Sequence, residues 1–190
     1  EMVNRDHFDK TYLGSDYPII TADLQIGLKD MWKGSNEYYR GEIGVNYDLA
    51  MPPLGTSYFR LKVGKIWGKV PYPLLKLHEG NGTYFNSPNA FACMDYYEFA
   101  SDTWLQLFYE HNFKGFFLGK IPLLKKLKWR EVVSFRGVVG SLSEKNNGSS
   151  KYIAANTNPA TGELNPGIPV PYMLFPAGMS GVNKPYFEAG

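Results

Sequence analysis

The chain has 190 residues, enough for one domain, and its 20 Lys and Arg against 18 Asp and Glu leave a net charge of +2. So small an excess leaves no electrostatic footprint for nucleic acid, and a single cysteine, Cys93, excludes an internal disulfide and a cysteine-based metal cluster. Mean hydropathy is −0.31 and no apolar run approaches the ~18–20 residues of a spanning helix, yet aromatics reach 16%, a density that membrane barrels use in girdles at both interfaces.

Residues 1–16 are polar and irregular, and the opening EMVNRDHFDK has no apolar leader core. From 17 to 31 the chain alternates. Ile20, Ala22, Leu24, Ile26 and Leu28 share one parity, and Thr21, Asp23, Gln25 and Lys29 take the other. Lys-Gly-Ser-Asn at 33–36 reads as a turn. The alternation returns over 37–50, with Tyr39, Ile43, Val45, Tyr47 and Leu49 opposite Arg40, Glu42, Asn46 and Asp48. Period two is the strand signature, because successive side chains leave a pleated backbone on opposite faces. Each arm holds the pattern for about a dozen residues, against ~5–6 in an ordinary strand. At ~3.3 Å per residue and a tilt near ~45°, such an arm spans roughly 28 Å, about the thickness of an outer-membrane hydrocarbon layer.

Pro52-Pro53-Leu54-Gly55 reads as a tight connection. A third strand over 56–70 sets Phe59, Leu61 and Val63 against Arg60 and Lys62, and Gly64 and Gly68 then break the parity as bulge glycines do. Residues 71–89 read as loop, 91–99 as a short strand of mixed parity, and Ser101-Asp102 as a turn. A strand over 103–113 places Leu105, Leu107 and Tyr109 opposite Gln106 and Glu110, with Phe108 out of pattern. In 114–130, Pro122 suits the first turn of a short helix; its Leu123, Leu124 and Leu127 lie among Lys120, Lys125, Lys126, Lys128, Trp129 and Arg130. Leucines at an acyl boundary and cations on headgroups explain both residue types, so this is expected to be a membrane-interface segment. The next strand, over 131–142, alternates Val133, Phe135 and Val139 with Ser134 and Arg136. Residues 143–184 are rich in Asn, Gly, Ser and Pro without a period and read as a long loop, and a further strand begins at Tyr186. Both ends look cut, as in a piece taken from inside a longer chain.

These elements predict an all-β, antiparallel, up-and-down transmembrane β-barrel, of which residues 1–190 supply about six or seven strands. Parity assigns Leu24, Ile26, Leu28, Ile43, Val45, Phe59, Leu61, Val63, Val133 and Phe135 to the lipid. It turns Asp23, Arg40, Glu42 and Arg60 inward together, as a structural charge network.

GKIWGKVPYPLLKLHEGNGTY, MDYYEFASDTWLQLFYEHNF and IPLLKKLKWREVVSFRGVVG, all within 64–140, resemble a Bacteroidota family of outer-membrane barrels. Its members usually carry an upstream carboxypeptidase-regulatory-like β-sandwich and have no assigned molecular function. The chain is also distantly similar to the BamA-type superfamily of outer-membrane assembly and secretion barrels, in which a strand rises into a long loop and an aromatic-Glu strand descends, as 71–101 and Tyr109-Glu110 do here. That superfamily's loop carries an Arg-Gly-aromatic tripeptide. None lies in 71–101, and Val138 follows Arg136-Gly137, so the resemblance does not extend to insertase or secretion-pore activity. It implies that 33–36, 71–101 and 143–184 are extracellular, and that 52–55 and 114–130 are periplasmic.

Catalytic signals are missing from the sequence. His78-Glu79 and Glu110-His111 are the His–carboxylate neighbours, and adjacent residues of a strand point apart, so neither pair chelates a metal by itself. Ser180 lacks a nucleophile-elbow spacing, and Gly80-Asn81-Gly82 is not continued into a phosphate loop. Asn81-Gly82-Thr83 and Asn147-Gly148-Ser149 match a glycosylation sequon, which carries little weight in a bacterial outer-membrane chain. The expected function is therefore a non-enzymatic one in the bacterial outer membrane, in transport, outer-membrane assembly or envelope maintenance. No catalytic, cofactor or metal residues are assigned. The expected partners are outer-membrane lipids and other envelope proteins, and not nucleic acid. The alternatives are a barrel enzyme with a loop-borne site and a soluble β-barrel that binds a ligand.

Overall fold

The computed structural model describes residues 2–4, 10–12, 17–29, 37–85 and 87–190. The turn read at 33–36 and the far end of the first long strand lie outside them. A hairpin of β1 (Met2–Asn4) and β2 (Lys10–Tyr12) precedes the main sheet.

Six strands form that sheet: β3 (Ile19–Gly27), β4 (Tyr38–Met51), β5 (Gly55–Gly68), β8 (Thr103–Asn112), β9 (Val132–Ser141) and β11 (Tyr186–Ala189). Each pairs antiparallel with its neighbour in the order β11-β9-β8-β5-β4-β3, which is an up-and-down meander. Among the described residues the sheet stays open, with β3 and β11 at its edges. β4 and β5 run for 14 residues each, so the long period-two pattern is realised as long strands.

Register decides which side chains share a face. Ala22, Ile43, Val63, Leu105 and Val139 form one row across five strands, and Ile20, Val45, Leu61, Leu107, Gly137 and Phe187 form the next row on that face. Aromatic rows flank them: Tyr47, Phe59, Tyr109 and Phe135 toward the Pro52-Pro53 end, and Tyr39 with Trp67 toward the other. Leu24 is 71% exposed and Ile43 57%; among the described residues nothing covers this face at those positions. Lys65 interrupts it but lays its ammonium over the Trp67 ring, 5.8 Å from the centroid, so its stem covers apolar surface.

The hydrophobic core lies on the other, polar face. One cluster joins Ile66 and Trp104 of the sheet to Val70, Leu75, Ala100, Phe175 and Met179, and a second joins Phe108 and Val138 to Phe91 and Met94. Both are sockets for the long loops. Phe108 breaks the parity of its strand because it receives Phe91, with ring centroids 4.9 Å apart.

Several expectations are corrected. Gly64 marks no bulge: β5 keeps its register from Gly55 to Gly68, and a Cβ at Gly64 would lie 2.2 Å from the Trp104 ring, so this glycine makes room for the indole. Gly68 takes a φ of +112° at the strand end, a conformation that side chains resist. Residues 91–99 are not a strand. Instead β6 (Lys76–Leu77) and β7 (Phe99–Ser101) pair at the base of the loop, and β10 (Ser180–Gly181) joins β7 in parallel. The segment 143–184 is not structureless. It holds a 3-10 turn at Glu144–Asn146, helix α2 (Ser150–Ala155) and β10. Its order starts at Asp102, whose carboxylate accepts hydrogen bonds from the Ser143 amide (2.9 Å) and hydroxyl and from Asn146 (3.4 Å). Asn146 in turn accepts from the Val70 amide at 3.0 Å.

Candidate functional site

The polar face and the loop laid on it form the most developed chemical environment in the chain. The loop leaves β5 at Gly68, returns at β7, and is tied back on itself: Phe91 N donates to Glu79 O (2.7 Å) and Asn81 N to Met94 O (2.8 Å).

Near its base the loop is held by a polar network. His78 is buried; its Nδ1 accepts from Gln106 Nε2 at 3.0 Å, and its Nε2 donates to Ser101 Oγ at 2.9 Å. Gln106 Nε2 also donates to Glu79 Oε2 at 3.0 Å, and Lys76 Nζ meets Glu79 Oε1 at 2.6 Å. His78 and Glu79 thus converge on one amide, contrary to the expectation that they point apart. The reason is local: β6 ends at Leu77, so strict alternation no longer applies. Gln106 Oε1 stays without a partner although buried, which costs roughly 1–3 kcal/mol.

Burial pushes the His78 imidazole down to about 4, reinforced by Lys76 and opposed by Glu79. Burial pushes the Glu79 carboxyl up, but Lys76 and Gln106 outweigh it and hold the group below its ordinary range. An undocked loop returns His78 toward 6.5, so between pH 6.5 and 4 the open form binds more protons than the closed one, and docking weakens as pH falls through that window. Opening should rise by up to about tenfold per pH unit there. Hydrogen exchange of amides 78–94 at pH 7 and pH 5 checks this. His78→Gln, which cannot titrate, should remove the pH dependence.

Farther along the sheet, one register row supplies the grip. Arg60, Phe108, Arg136 and Glu188 are partners across β5, β8, β9 and β11. Arg60 Nη1 donates to Pro88 O (3.4 Å) and to Asn89 Oδ1, and Arg136 Nη1 donates to Ala90 O (2.5 Å). Glu188 accepts from the Ala92 and Cys93 amides, both at 2.7 Å, and from Tyr186 OH at 2.7 Å. Residues 88–93 therefore cross four strands like a belt. Of the four charges expected to meet inward, Asp23, Arg40 and Glu42 line one small hollow with Gln25, and Arg40 pairs with Glu42 at 3.2 Å. Arg60 does not join them: its register partner is Asn46, whereas Glu42 lies opposite Gly64, and its guanidinium goes to the belt.

The residues assigned to lipid take definite places. Leu24, Ile26, Ile43, Val45, Phe59, Leu61, Val63, Val133 and Phe135 share the uncovered apolar face by register, and Leu28 follows the end of β3, half exposed. The basic segment contains a 3-10 turn at Leu118–Lys120 and helix α1 (Pro122–Leu127), with Pro122 in the first turn. Lys120, Lys125, Lys126, Lys128, Trp129 and Arg130 are all exposed, as are Leu123 and Leu127. The Lys120 ammonium lies 4.1 Å from the Phe116 ring centroid.

One pair was not legible in the sequence. Ser57 Oγ lies 2.7 Å from His111 Nδ1, and His111 Nε2 donates to Leu54 O at 3.0 Å. That is a nucleophile–base distance, but Ser57 is fully buried and the Phe113 ring stacks edge-on against His111. The pair braces the Pro52-Pro53 turn. Among the described residues no group of three His, Cys, Asp or Glu is placed to hold a metal.

Neither a curated protein nor a solved structure matches the chain. A family model does match, over residues 2–146. The open meander with its docked loop is thus a form of the C-terminal domain of a family of unknown function (DUF5686), to which this chain belongs.

Proposed function

We propose that this chain forms part of the wall of a bacterial outer-membrane β-barrel, a non-enzymatic protein of transport, outer-membrane assembly or envelope maintenance. One observation carries the reading: an uncovered apolar face, bounded by aromatic rows, backs onto a polar face that the chain covers with its own loop. In a water-soluble sandwich the apolar face would be the packed one. A wall with lipid outside and a polar lumen inside has the opposite arrangement. The family resemblance to Bacteroidota outer-membrane barrels and, distantly, to BamA-type barrels agrees with it. In this reading the belt narrows the lumen, and outer-membrane lipids are the partners of the apolar face and of the basic segment.

The two ends of the sheet then face opposite compartments. Helix α1 and the Pro52-Pro53 turn lie at one end, and 71–101 and 143–184 leave from the other. Leucines beside lysines suit the phospholipid leaflet. In a Cys93→Ser background, single cysteines at Lys151 and Lys125, both exposed, test this with an impermeant maleimide on intact cells. Lys151→Cys should react at once, and Lys125→Cys only after the outer membrane is opened. Ser149 is unsuitable despite its polar surroundings, because it is buried as the N-cap of α2. Equal labelling in intact cells, or the reverse order, would overturn the topology.

A further inference from the structure

We infer that the row Arg60–Phe108–Arg136–Glu188 is a binding track for an extended polypeptide segment, and that residues 88–93 occupy it as a built-in stand-in. The inference goes beyond the bilayer reading: the track is on the polar face, and its test reads that face alone.

The contacts to the belt are chiefly main-chain contacts. Arg60 and Arg136 donate to the carbonyls of residues 88 and 90, and Glu188 accepts from the amides of residues 92 and 93. Apart from Asn89, which meets Arg60, and Phe91, no belt side chain is needed for the grip. Another chain of similar backbone path offers the same carbonyls and amides. Phe91 supplies the one deep side-chain contact. It is fully buried, its ring 4.9 Å from Phe108 and 5.7 Å from Tyr186, with Met94 and Val138 completing the socket. The track therefore reads as cation, cation, aromatic socket, carboxylate, spaced for a peptide that has small residues around one aromatic.

The order of donors and acceptors selects the ligand class. A phosphate or carboxylate would satisfy the two arginines but meet Glu188 and the nearby Glu110, and a cation would meet both arginines. A peptide offers carbonyls to the arginines and amides to the carboxylate in one direction of travel. Space beside the belt supports exchange. A hollow of about 250 Å³ lined by Arg60, Pro88, Glu110 and Arg136 and another of about 230 Å³ lined by Cys93, Arg136 and Glu188 flank it. They can take side chains larger than the alanines at 90 and 92.

The test uses the intact purified protein and a fluorescein-labelled peptide of sequence SPNAFAS, followed by anisotropy. Phe91→Ala weakens the stand-in, so the variant should bind the peptide at least tenfold more tightly than the parent protein. Adding Glu188→Gln should remove that gain, and a peptide with alanine for its phenylalanine should not bind. A folded Phe91→Ala protein that binds no better than the parent, or that binds both peptides alike, overturns the proposal. A second measurement needs no variant. The same peptide with benzoylphenylalanine in the aromatic position, irradiated with the unaltered protein, should attach to β8 or β9 around Phe108 and Val138. Attachment elsewhere, or none, overturns it equally.

Discussion

Arginine in place of Val45 should destabilise the protein by about 2–4 kcal/mol in a refolding titration from denaturant into lipid, the range for a cation at the midplane of a barrel's outer face. Val45 sits in the second of the two aliphatic rows, between Ile20 and Leu61 and next to the aromatic row of Tyr47 and Phe59. A guanidinium there has no acid within its row and must either lose its hydration or stretch to an interface. Ile26→Arg should cost less than Val45→Arg, because Ile26 lies in the row of Tyr39 and Trp67 near the sheet end and the penalty falls toward the interface. Gln25→Arg is the internal comparison. Gln25 borders the polar hollow with Asp23 and Glu42, so its added charge is near acids and water and should cost well under 1 kcal/mol. Equal costs at Val45 and Gln25 would show that the apolar face does not meet lipid.

The difference between those two faces was legible in the sequence for a simple reason. Alternation is a local property, and antiparallel register carries it unchanged from strand to strand, so Ile43, Val63, Leu105 and Val139 line up once each strand is recognised. The loops were not legible, because what fixes them is distant in sequence and looks like an error in the pattern. Phe108 breaks the parity of β8 because a residue 17 positions earlier, Phe91, needs a socket. Gly64 looks like a bulge because its function is to be small beneath Trp104. Arg136 and Glu188 look like ordinary charges of the polar face, and the partners by which they hold the belt are its backbone groups, which carry no sequence signal. Asn146 reads as one more polar loop residue, although it ties Val70 and Gly68 to the segment after β9. At Phe108 and Gly64 the residue that interrupts the period marks the place where a large side chain from another segment lands.

Phe91→Ala should release the belt. The ring is fully buried among Phe108, Met94 and Val138, with Tyr186 edge-on to it, and large-to-small changes at such sites cost about 3–5 kcal/mol. The cost here falls on docking of the loop more than on the sheet. The strands of the sheet hold one another through long antiparallel ladders, whereas the tip of the loop is held by Phe91 and by the contacts of Arg60, Arg136 and Glu188 with residues 88–93. Those charged contacts keep their geometry only while the belt lies flat, so losing the ring should loosen them together. Limited proteolysis reads this directly. Cleavage within 81–93 should accelerate by at least tenfold in the variant, while the strands stay protected. Phe91→Leu keeps most of the buried area and should restore most of the protection, since conservative swaps of apolar residues usually cost under about 1.5 kcal/mol. A Phe91→Ala protein cleaved no faster than its parent would mean that the charged contacts alone hold the loop. Global loss of strand protection would mean instead that the socket is part of the sheet's own stability.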